Sequence, residues 1–366
     1  MTKFVKKISF ICFLLSLSTY AQKLCSSDNT DNSNRHEDIE AFENTIMDAR
    51  KMKFAGSVLI SDENGIVLSK SYQFKKSLKD CNISPNESYW IASLSKHFCA
   101  VAILKLAEEG LLSLNDPISN FLDHVPSDKS DITLHQLLTH TSGMADNYVA
   151  DGISDRDKAI QKILSDDLVQ KPGATYAYSN QAYNLLAIIV ELTSKTSYEA
   201  YLHNTFFKTL NLTYTGHAGD QSQWNKLKMA KKGKGASRRI KENPQLWETN
   251  YGYKGSTGIL TNPTDLFIWF NALYNGKLLS KDSTTLLFTE HVKKSDKIFY
   301  GYGWNFFEDS IGKVIVHSGD DDFIGHSATL RFYPDVKRLY IVTSNTGGTY
   351  KKRPIAQTLS SQLKKL

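Results

Sequence analysis

The chain has 366 residues, of which 41% are apolar, 11% aromatic and 22% charged. This composition is typical of a globular protein and excludes an extended low-complexity or disordered chain. The formal net charge is +6, and removal of the three lysines in the N-terminal segment described below leaves +3. Such a small excess argues against a nucleic-acid-binding protein.

Residues 1–21 have the pattern of a secretory signal peptide. Three lysines precede an apolar run from Ile8 to Leu17, and small residues occupy the expected cleavage positions before residue 22. The apolar run is shorter than the roughly 20 residues that span a bilayer as a helix. We therefore expect cleavage near Ala21 and a periplasmic or secreted protein, with a retained anchor as the alternative.

A Ser-, Asp- and Asn-rich leader follows over residues 22–36, and we expect it to be flexible, with the folded domain covering residues 37–366. Cys25 and Cys81 could form a disulfide, although the sequence leaves their pairing open. Cys99 lies among apolar helix neighbours, which predicts a buried thiol.

The order of predicted elements indicates an α+β fold. Two β-rich runs joined by Asn64-Gly65 predict a hairpin over residues 56–70, and helical patterns follow from residue 93 to about residue 220. Strand patterns return over residues 300–307, 313–317, 326–333 and 338–344, with short turns that favour antiparallel pairing.

We therefore expect an antiparallel sheet flanked by helices, built from both ends of the chain, with an inserted all-α lobe. The sheet lobe is predicted to comprise residues 37–92 and about 245–366, and the helical lobe residues from about 93 to 244. The groove between the lobes is the expected binding site.

A lysine, Lys96, lies one turn into the most apolar helical segment of the chain, and Ser93 precedes it by three residues. Burial lowers the pKa of a lysine and makes the neutral amine available as a base. Residues three apart share one helix face, so a hydroxyl lies beside this base. The alternative is that Ser93 only caps the helix and Lys96 extends to solvent.

Two other short patterns occur once each in the chain. Tyr178-Ser-Asn180 places a phenol and an amide on a predicted loop of the helical region, and His317-Ser-Gly319 ends a predicted strand. With them the sequence resembles the serine β-lactamase and penicillin-binding protein superfamily, in its class C β-lactamase, DD-peptidase and esterase branch. That branch has Ser-x-x-Lys, Tyr-x-Asn and Lys- or His-Thr-Gly in this order. The likeness covers roughly residues 40 to 350 and includes residues 137–143, 255–266 and 300–304.

The resemblance implies catalytic roles for three residues and a binding role for a fourth. Ser93 would attack a carbonyl and form an acyl-enzyme, with Lys96 helping to take its proton. Tyr178 would relay protons to the leaving group, provided that Lys96 and a protonated His317 favour the ionised phenol. Asn180 would bind both Lys96 and the amide on the acyl side of the substrate.

The strand pattern supplies the remaining site residues implied by the resemblance. His317, Ser318 and Gly319 would contact substrate, and the backbone N–H groups of Ser93 and Asp320 would form the oxyanion hole. Histidine stands at position 317, where β-lactamase members mostly carry lysine. Because histidine is mostly neutral at pH 7, recognition of a substrate carboxylate, and with it β-lactam turnover, is in doubt.

The expected function is that of an exported serine hydrolase acting on a small amide or ester. The favoured substrates are a D-amino-acid peptide and a carboxylic ester. A class C-like β-lactamase and a non-catalytic penicillin-binding or sensor module are the alternatives. The sequence contains no metal-ligand or phosphate-loop pattern, so we expect no cofactor and no metal. The partner is a small-molecule or peptide substrate rather than nucleic acid, and the oligomeric state is open.

Two charged segments have two interpretations each, and two histidines are assigned outside the catalytic chemistry. The three acids Asp320 to Asp322 either favour substrates with a cationic or neutral group over anionic ones, or form a solvated turn that points away from the site. Eight positive residues within 226–241 form either a solvated loop or a weak contact with an anionic envelope polymer. His140 is interpreted as structural, and His97 as a packing or surface residue.

Overall fold

The computed structural model describes residues 23–28, 54–75, 86–220, 228–229, 249–321, 324–346, 349–350, 353–354, 356–357 and 360. The predicted signal peptide, Cys81 and hence its pairing, Asp322 and all of the basic segment except Lys228 and Met229 lie outside these ranges. Within these ranges, no helix has both the length and the apolar character needed to cross a membrane.

Fifteen strands occur in the described ranges. They are β1 (Lys23–Asp28), β2 (Gly56–Asp62), β3 (Gly65–Lys75), β4 (Glu87–Trp90), β5 (Gly216–His217), β6 (Lys228–Met229), β7 (Ile259–Thr261), β8 (Val292–Ser295), β9 (Ile298–Tyr300), β10 (Asn305–Glu308), β11 (Lys313–Asp321), β12 (His326–Tyr333), β13 (Arg338–Ser344), β14 (Thr349–Tyr350) and β15 (Arg353–Pro354). Nine of them form the main antiparallel sheet, in the order β1-β3-β2-β13-β12-β11-β10-β9-β8. The predicted sheet from both chain ends is confirmed.

Alternate side chains of the central strands pack into two apolar cores, one on each face of the sheet. On β13, Leu339 and Ile341 join the larger core, whereas Tyr340 and Val342 join the smaller one. Successive strand side chains point to opposite faces, so a strand buried on both sides must be apolar throughout. This explains the nearly unbroken apolar run of β13.

Two strand predictions need correction. Lys23–Asp28, expected in a flexible leader, form β1 and pair with β3. The strand expected over residues 300–307 is divided into β9 and β10. The break contains Gly303 at φ 81°, and a Cβ there would lie 2.8 Å from the Cα of His97. The close approach of helix and loop therefore requires glycine at this position.

The helices are α1 (Lys96–Glu108), α2 (Leu134–Leu138), α3 (Arg156–Leu164), α4 (Asn180–Ser194), α5 (Tyr198–Leu202), α6 (Pro263–Tyr274) and α7 (Lys281–Leu287). Single turns of 3₁₀-helix occur at Ala92–Ser95, Ile118–Asn120 and Pro334–Val336, and a π-helical turn occurs at His203–Phe207. The range predicted for the all-α lobe also contains the short strands β5 and β6. Strand structure therefore resumes before residue 245.

Helices α1 and α4 form the centre of the helical lobe. On α1 every residue from Lys96 to Leu104 is buried, and on α4 every residue from Asn180 to Glu191 is buried. A helix that is apolar on nearly all sides is stable only when other elements surround it. Because the two helices pack together, the first turns of both reach the same site.

Candidate active site

Ser93 and Lys96 lie where strand β4 turns sharply into helix α1. Ala92 has a left-handed φ of 44°, a conformation that costs about 1 kcal/mol or more for a residue other than glycine. The turn leaves the Ser93 side chain partly exposed, whereas Lys96 is 0% exposed. The alternative in which Lys96 extends to solvent is therefore wrong.

The Lys96 amine has three polar neighbours, and two of them are pure acceptors. Its Nζ lies 2.6 Å from Asn180 Oδ1, 2.9 Å from the Ser256 carbonyl oxygen and 3.3 Å from Ser93 Oγ. A neutral amine has two N–H groups and one lone pair. When the two N–H groups donate to Asn180 and Ser256, the lone pair faces the Ser93 hydroxyl. The contacts thus orient the amine as a base toward Ser93.

Burial lowers the pKa of Lys96 from 10.5 to about 7, because the ammonium loses its water shell. The negative charge of Asp146 opposes this shift by favouring the ammonium. The rings of Tyr178 and Tyr183 also face Nζ, with their centroids at 4.7 and 5.6 Å. At neutral pH a large fraction of Lys96 is therefore available to accept a proton.

Tyr178 is the second group that contacts the Ser93 hydroxyl, and its O–H donates to Ser93 Oγ at 2.8 Å. Burial raises the pKa of Tyr178 well above its ordinary value, and the Ser93 hydrogen bond only partly offsets this. The phenol is thus protonated at neutral pH and can donate to an oxygen or nitrogen atom beside Ser93.

His140 fixes the loop that carries Tyr178. Its Nδ1 accepts from the Ser179 N–H at 3.1 Å, and its carbonyl oxygen accepts from the Ala177 N–H at 2.7 Å. The His140 ring also packs against the Tyr178 ring, with 4.4 Å between centroids. These contacts agree with the structural role expected for His140.

Asn180 begins helix α4 and does not lie on a loop as the sequence pattern indicated. The preceding Ser179 is the N-cap, and its hydroxyl accepts from the Ala182 N–H. The Asn180 amide is bonded at both ends, since Oδ1 accepts from Lys96 and Nδ2 donates to Asp146 Oδ1 at 2.7 Å. Sequence reasoning missed Asp146, which is exposed.

Strand β11 forms the other wall of the site, and it continues through His317, Ser318 and Gly319 to Asp321 instead of ending at this pattern. His317 is 5% exposed, and burial together with the positive charge of Lys96 holds its pKa well below its ordinary value. The expectation of a protonated His317 is therefore wrong. The cationic form of Lys96 remains to stabilise an ionised Tyr178.

The neighbouring Ser318 is partly exposed, and its Oγ accepts from the Thr329 hydroxyl at 3.0 Å. Gly319 is packed against the nucleophile turn. A Cβ at position 319 would lie 2.0 Å from the Ile91 carbonyl oxygen and 2.8 Å from the Ser93 nitrogen. The strand can thus approach the Ser93 amide only with glycine here. Asp320 is the next residue of β11, and its role as the second oxyanion donor remains a prediction.

Asp321 closes the turn between β11 and β12. Its carboxylate accepts from the Ile324 N–H at 2.8 Å, and its carbonyl oxygen accepts from the Gly325 N–H. This bond supports the turn interpretation of the acidic cluster for Asp321, while Asp322 lies outside the described residues.

The Ser256 carbonyl is a second feature that sequence reasoning missed. Asn184 of α4 holds its loop, because Asn184 Oδ1 accepts from the N–H groups of Gly255 and Ser256 at 3.2 and 3.0 Å. Asn184 Nδ2 also donates to the Gly252 carbonyl oxygen at 2.6 Å. The stretch 255–266 contributed to the family likeness, but a backbone acceptor leaves no side-chain signature in a sequence.

Two other predictions concern residues behind the site, and a third concerns metal binding. His97 is a packing residue, with its ring stacked 4.8 Å from Trp304 and its Nδ1 accepting from the Trp269 indole N–H. Cys99 is a buried free thiol, as expected, and burial raises its pKa to about 12. Among the residues with described positions, no group of three or more His, Cys, Asp or Glu side chains could hold a metal ion.

Comparison with known proteins identifies a matching family and several sequence relatives. The family model described as Beta-lactamase matches residues 42–363. Protein flp of Staphylococcus aureus (strain N315) is 28% identical over 334 residues, which cover 86% of this chain and 64% of that protein. The putative penicillin-binding protein PbpX of Bacillus subtilis (strain 168) is 30% identical over 255 residues, which cover 70% of this chain and 63% of that protein. The chain thus spans less than two thirds of the length of these relatives.

Solved structures share the fold. The octameric penicillin-binding protein homologue from Pyrococcus abyssi superposes with a TM-score of 0.73 at 25% identity, covering 89% of this chain and 76% of that one. The D-amino acid amidase from Ochrobactrum anthropi SV3 has a TM-score of 0.72 at 17% identity, covering 90% of this chain and 99% of that one, and this likeness shows the fold alone. The match over most of the chain, together with the arrangement around Ser93, shows that this protein belongs to the beta-lactamase family of the serine β-lactamase and penicillin-binding protein superfamily.

Proposed function

We propose that the protein is an exported serine hydrolase that forms a covalent acyl-enzyme with a small amide or ester. The main observation in support is that Ser93 Oγ is within hydrogen-bond distance of both the Lys96 amine, at 3.3 Å, and the Tyr178 hydroxyl, at 2.8 Å. One neighbour can accept the serine proton and the other can donate a proton, as acylation of a serine requires.

In the acylation step, Lys96 takes the proton from the Ser93 hydroxyl while Oγ bonds to the substrate carbonyl carbon. The carbonyl π electrons move to its oxygen, which the Ser93 N–H and, by our prediction, the Asp320 N–H stabilise. The oxyanion then re-forms the carbonyl and expels the leaving group.

The leaving group takes a proton from Tyr178, and the Lys96 ammonium returns its proton to the phenolate. The Lys96 ammonium, with its Nζ 4.7 Å from the ring centroid, stabilises the negative charge of the Tyr178 anion. Water later adds to the acyl-enzyme carbonyl and gives a proton to Lys96. The tetrahedral intermediate then breaks its bond to Ser93 Oγ, which takes the proton back from Lys96, and the acyl group leaves as a carboxylic acid.

The neutral His317 favours a carboxylic ester, or a D-amino-acid peptide that presents no carboxylate at this position, over a β-lactam as substrate. A lysine at this position would give a permanent cation for a substrate carboxylate, whereas burial keeps His317 uncharged. Turnover of nitrocefin by the purified protein separates the two cases. Rapid repeated hydrolysis would favour a β-lactamase, and slow stoichiometric labelling of Ser93 by a fluorescent penicillin would favour a peptidase.

The proposal is tested by intact mass after incubation with a penicillin and with an activated ester, for the wild type and for Ser93→Ala. We expect a mass increase equal to one acyl group in the wild type and none in the variant. Labelling that persists in Ser93→Ala would refute the assignment of the nucleophile. A wild type that neither labels nor hydrolyses a broad ester and peptide panel would instead support a non-catalytic binding module.

Export is proposed from the lysine-rich and apolar pattern of residues 1–21. The N-terminal mass of the protein recovered from the periplasm or medium checks it. A chain that begins after Ala21 supports export with cleavage, and a chain that keeps these residues in the membrane fraction supports a retained anchor.

A further inference from the structure

Asp146 is an exposed carboxylate joined to the catalytic residues by a continuous line of hydrogen bonds. Its Oδ1 accepts from Asn180 Nδ2 at 2.7 Å, Asn180 Oδ1 accepts from Lys96 at 2.6 Å, and Lys96 lies 3.3 Å from Ser93 Oγ. The Asn180 amide therefore fixes the position of a negative charge at the wall of the site.

This charge has no basic partner within ion-pair distance among the residues whose positions are described. Its field reaches several groups of the site, because it helps to raise the pKa of Tyr148, Tyr176 and Tyr178 and opposes the lowering of the Lys96 pKa. A carboxylate that has a fixed position, is accessible to solvent and has no ion-pair partner among the described residues attracts a cationic group on a ligand.

Asp146 contacts Asn180, the residue expected to bind the acyl side of the substrate. Asn180 is the residue expected to contact the group next to the attacked carbonyl on the acyl side. An N-acylated substrate presents a second carbonyl oxygen in this region, and that oxygen is repelled by the Asp146 carboxylate. An unblocked amino-acyl substrate presents an ammonium there instead, which can donate a charge-assisted hydrogen bond.

We propose that Asp146 selects acyl groups with a free ammonium beside the attacked carbonyl, such as unblocked amino-acid amides and short peptides, over N-acylated ones. The inference rests on the proposed function and adds to it the substrate class. It assigns Asp146 a role in specificity, while Ser93, Lys96 and Tyr178 carry the chemistry.

The test compares kcat/KM for the p-nitroanilides of alanine and of N-acetyl-alanine, each in D and L form. We expect the wild type to prefer the unblocked substrate, and Asp146→Asn to reduce the preference about tenfold, as for loss of one partly exposed charge-assisted hydrogen bond. Asparagine keeps an acceptor for Asn180, and Asp146→Ser is a second uncharged variant. Effects on folding or on Lys96 change both substrates alike and cancel in the ratio.

Asp151→Asn is the matched control, because it removes one negative charge from a nearby carboxylate. Asp151 bonds to Asn250 and Tyr253 and not to Asn180, so the preference should stay within about twofold of the wild type. An equal preference in wild type and Asp146→Asn would overturn the inference. So would a wild type that is acylated at Ser93 by an activated ester but hydrolyses neither unblocked anilide. Absence of any Ser93 labelling would instead count against the proposed function.

Discussion

The lowered pKa of Lys96 predicts a pH dependence of protein stability that can be measured without any substrate. Its pKa is lowered from 10.5 to about 7 by burial, so between these values the unfolded chain binds a proton that the folded chain does not. Stability therefore rises with pH across this window, by up to about 1.4 kcal/mol per pH unit. The gain begins near the folded pKa and is complete above the unfolded one.

The perturbation is Lys96→Met, which has a similar length and no titrating group. For these two pKa values, the free energy of unfolding of the wild type should rise relative to the variant by about 2 kcal/mol between pH 7 and pH 9. The variant also leaves the Asn180 and Ser256 oxygens without a donor, but that cost does not depend on pH. The slope of the difference with pH is thus the informative quantity.

Urea denaturation followed by fluorescence at several pH values measures this difference. Lys105→Met is the matched control, because Lys105 lies on the same helix with a side chain 30% exposed, so it reports the effect of removing a lysine that is not enclosed in the site. A flat difference for Lys96→Met would refute the reasoning. It would mean that Lys96 has the same affinity for protons in the folded and unfolded chain, and the proposed base would not exist.

The remaining predictions concern the groups around the same hydroxyl. Tyr178→Phe removes the O–H that donates to Ser93, so kcat/KM should fall about 10²- to 10⁴-fold while the unfolding temperature is retained; near-normal kinetics would assign leaving-group protonation elsewhere. Gly319→Ala places a Cβ 2.8 Å from the Ser93 nitrogen, so it should lose acylation in the mass assay and about 1–3 kcal/mol in denaturation, and unchanged values for both would contradict the close approach. Asp146→Asn removes the anion that favours protonated Lys96, so the acidic limb of the kcat/KM profile should move to lower pH; a shift to higher pH would reverse the assigned sign.

Local features of the site could be predicted from the sequence because they depend on short spacings. Ser93 and Lys96 are three residues apart at the start of a helical segment, so their proximity follows from helix geometry. The burial of Lys96 follows from its apolar neighbours. Asn180 was assigned to a loop, although Ser179 at its N-terminal side is a common N-cap residue and could have indicated the helix start.

Features that depend on long-range packing could not be predicted. Asp146 reaches Asn180 from 34 residues earlier in the chain, and no local pattern relates the two. The neutral state of His317 depends on burial by elements distant in sequence, which the strand pattern alone does not show. The break between β9 and β10 contains Gly303, which His97 approaches closely, a contact between residues far apart in the sequence.

The partners of two buried lysines explain why only one of them is positioned as a base. Lys254 bonds to the carboxylates of Glu191 and Glu199 at 2.7 and 3.0 Å, and these ion pairs hold the loop that carries Ser256. The acceptors on Lys96 are an amide oxygen and a carbonyl oxygen, which satisfy two N–H groups without adding a full negative charge. A carboxylate in direct contact would favour the ammonium and remove the lone pair. The ion pairs of Lys254 therefore stabilise the loop, while the loop atom that contacts the Lys96 amine is the uncharged carbonyl oxygen of Ser256.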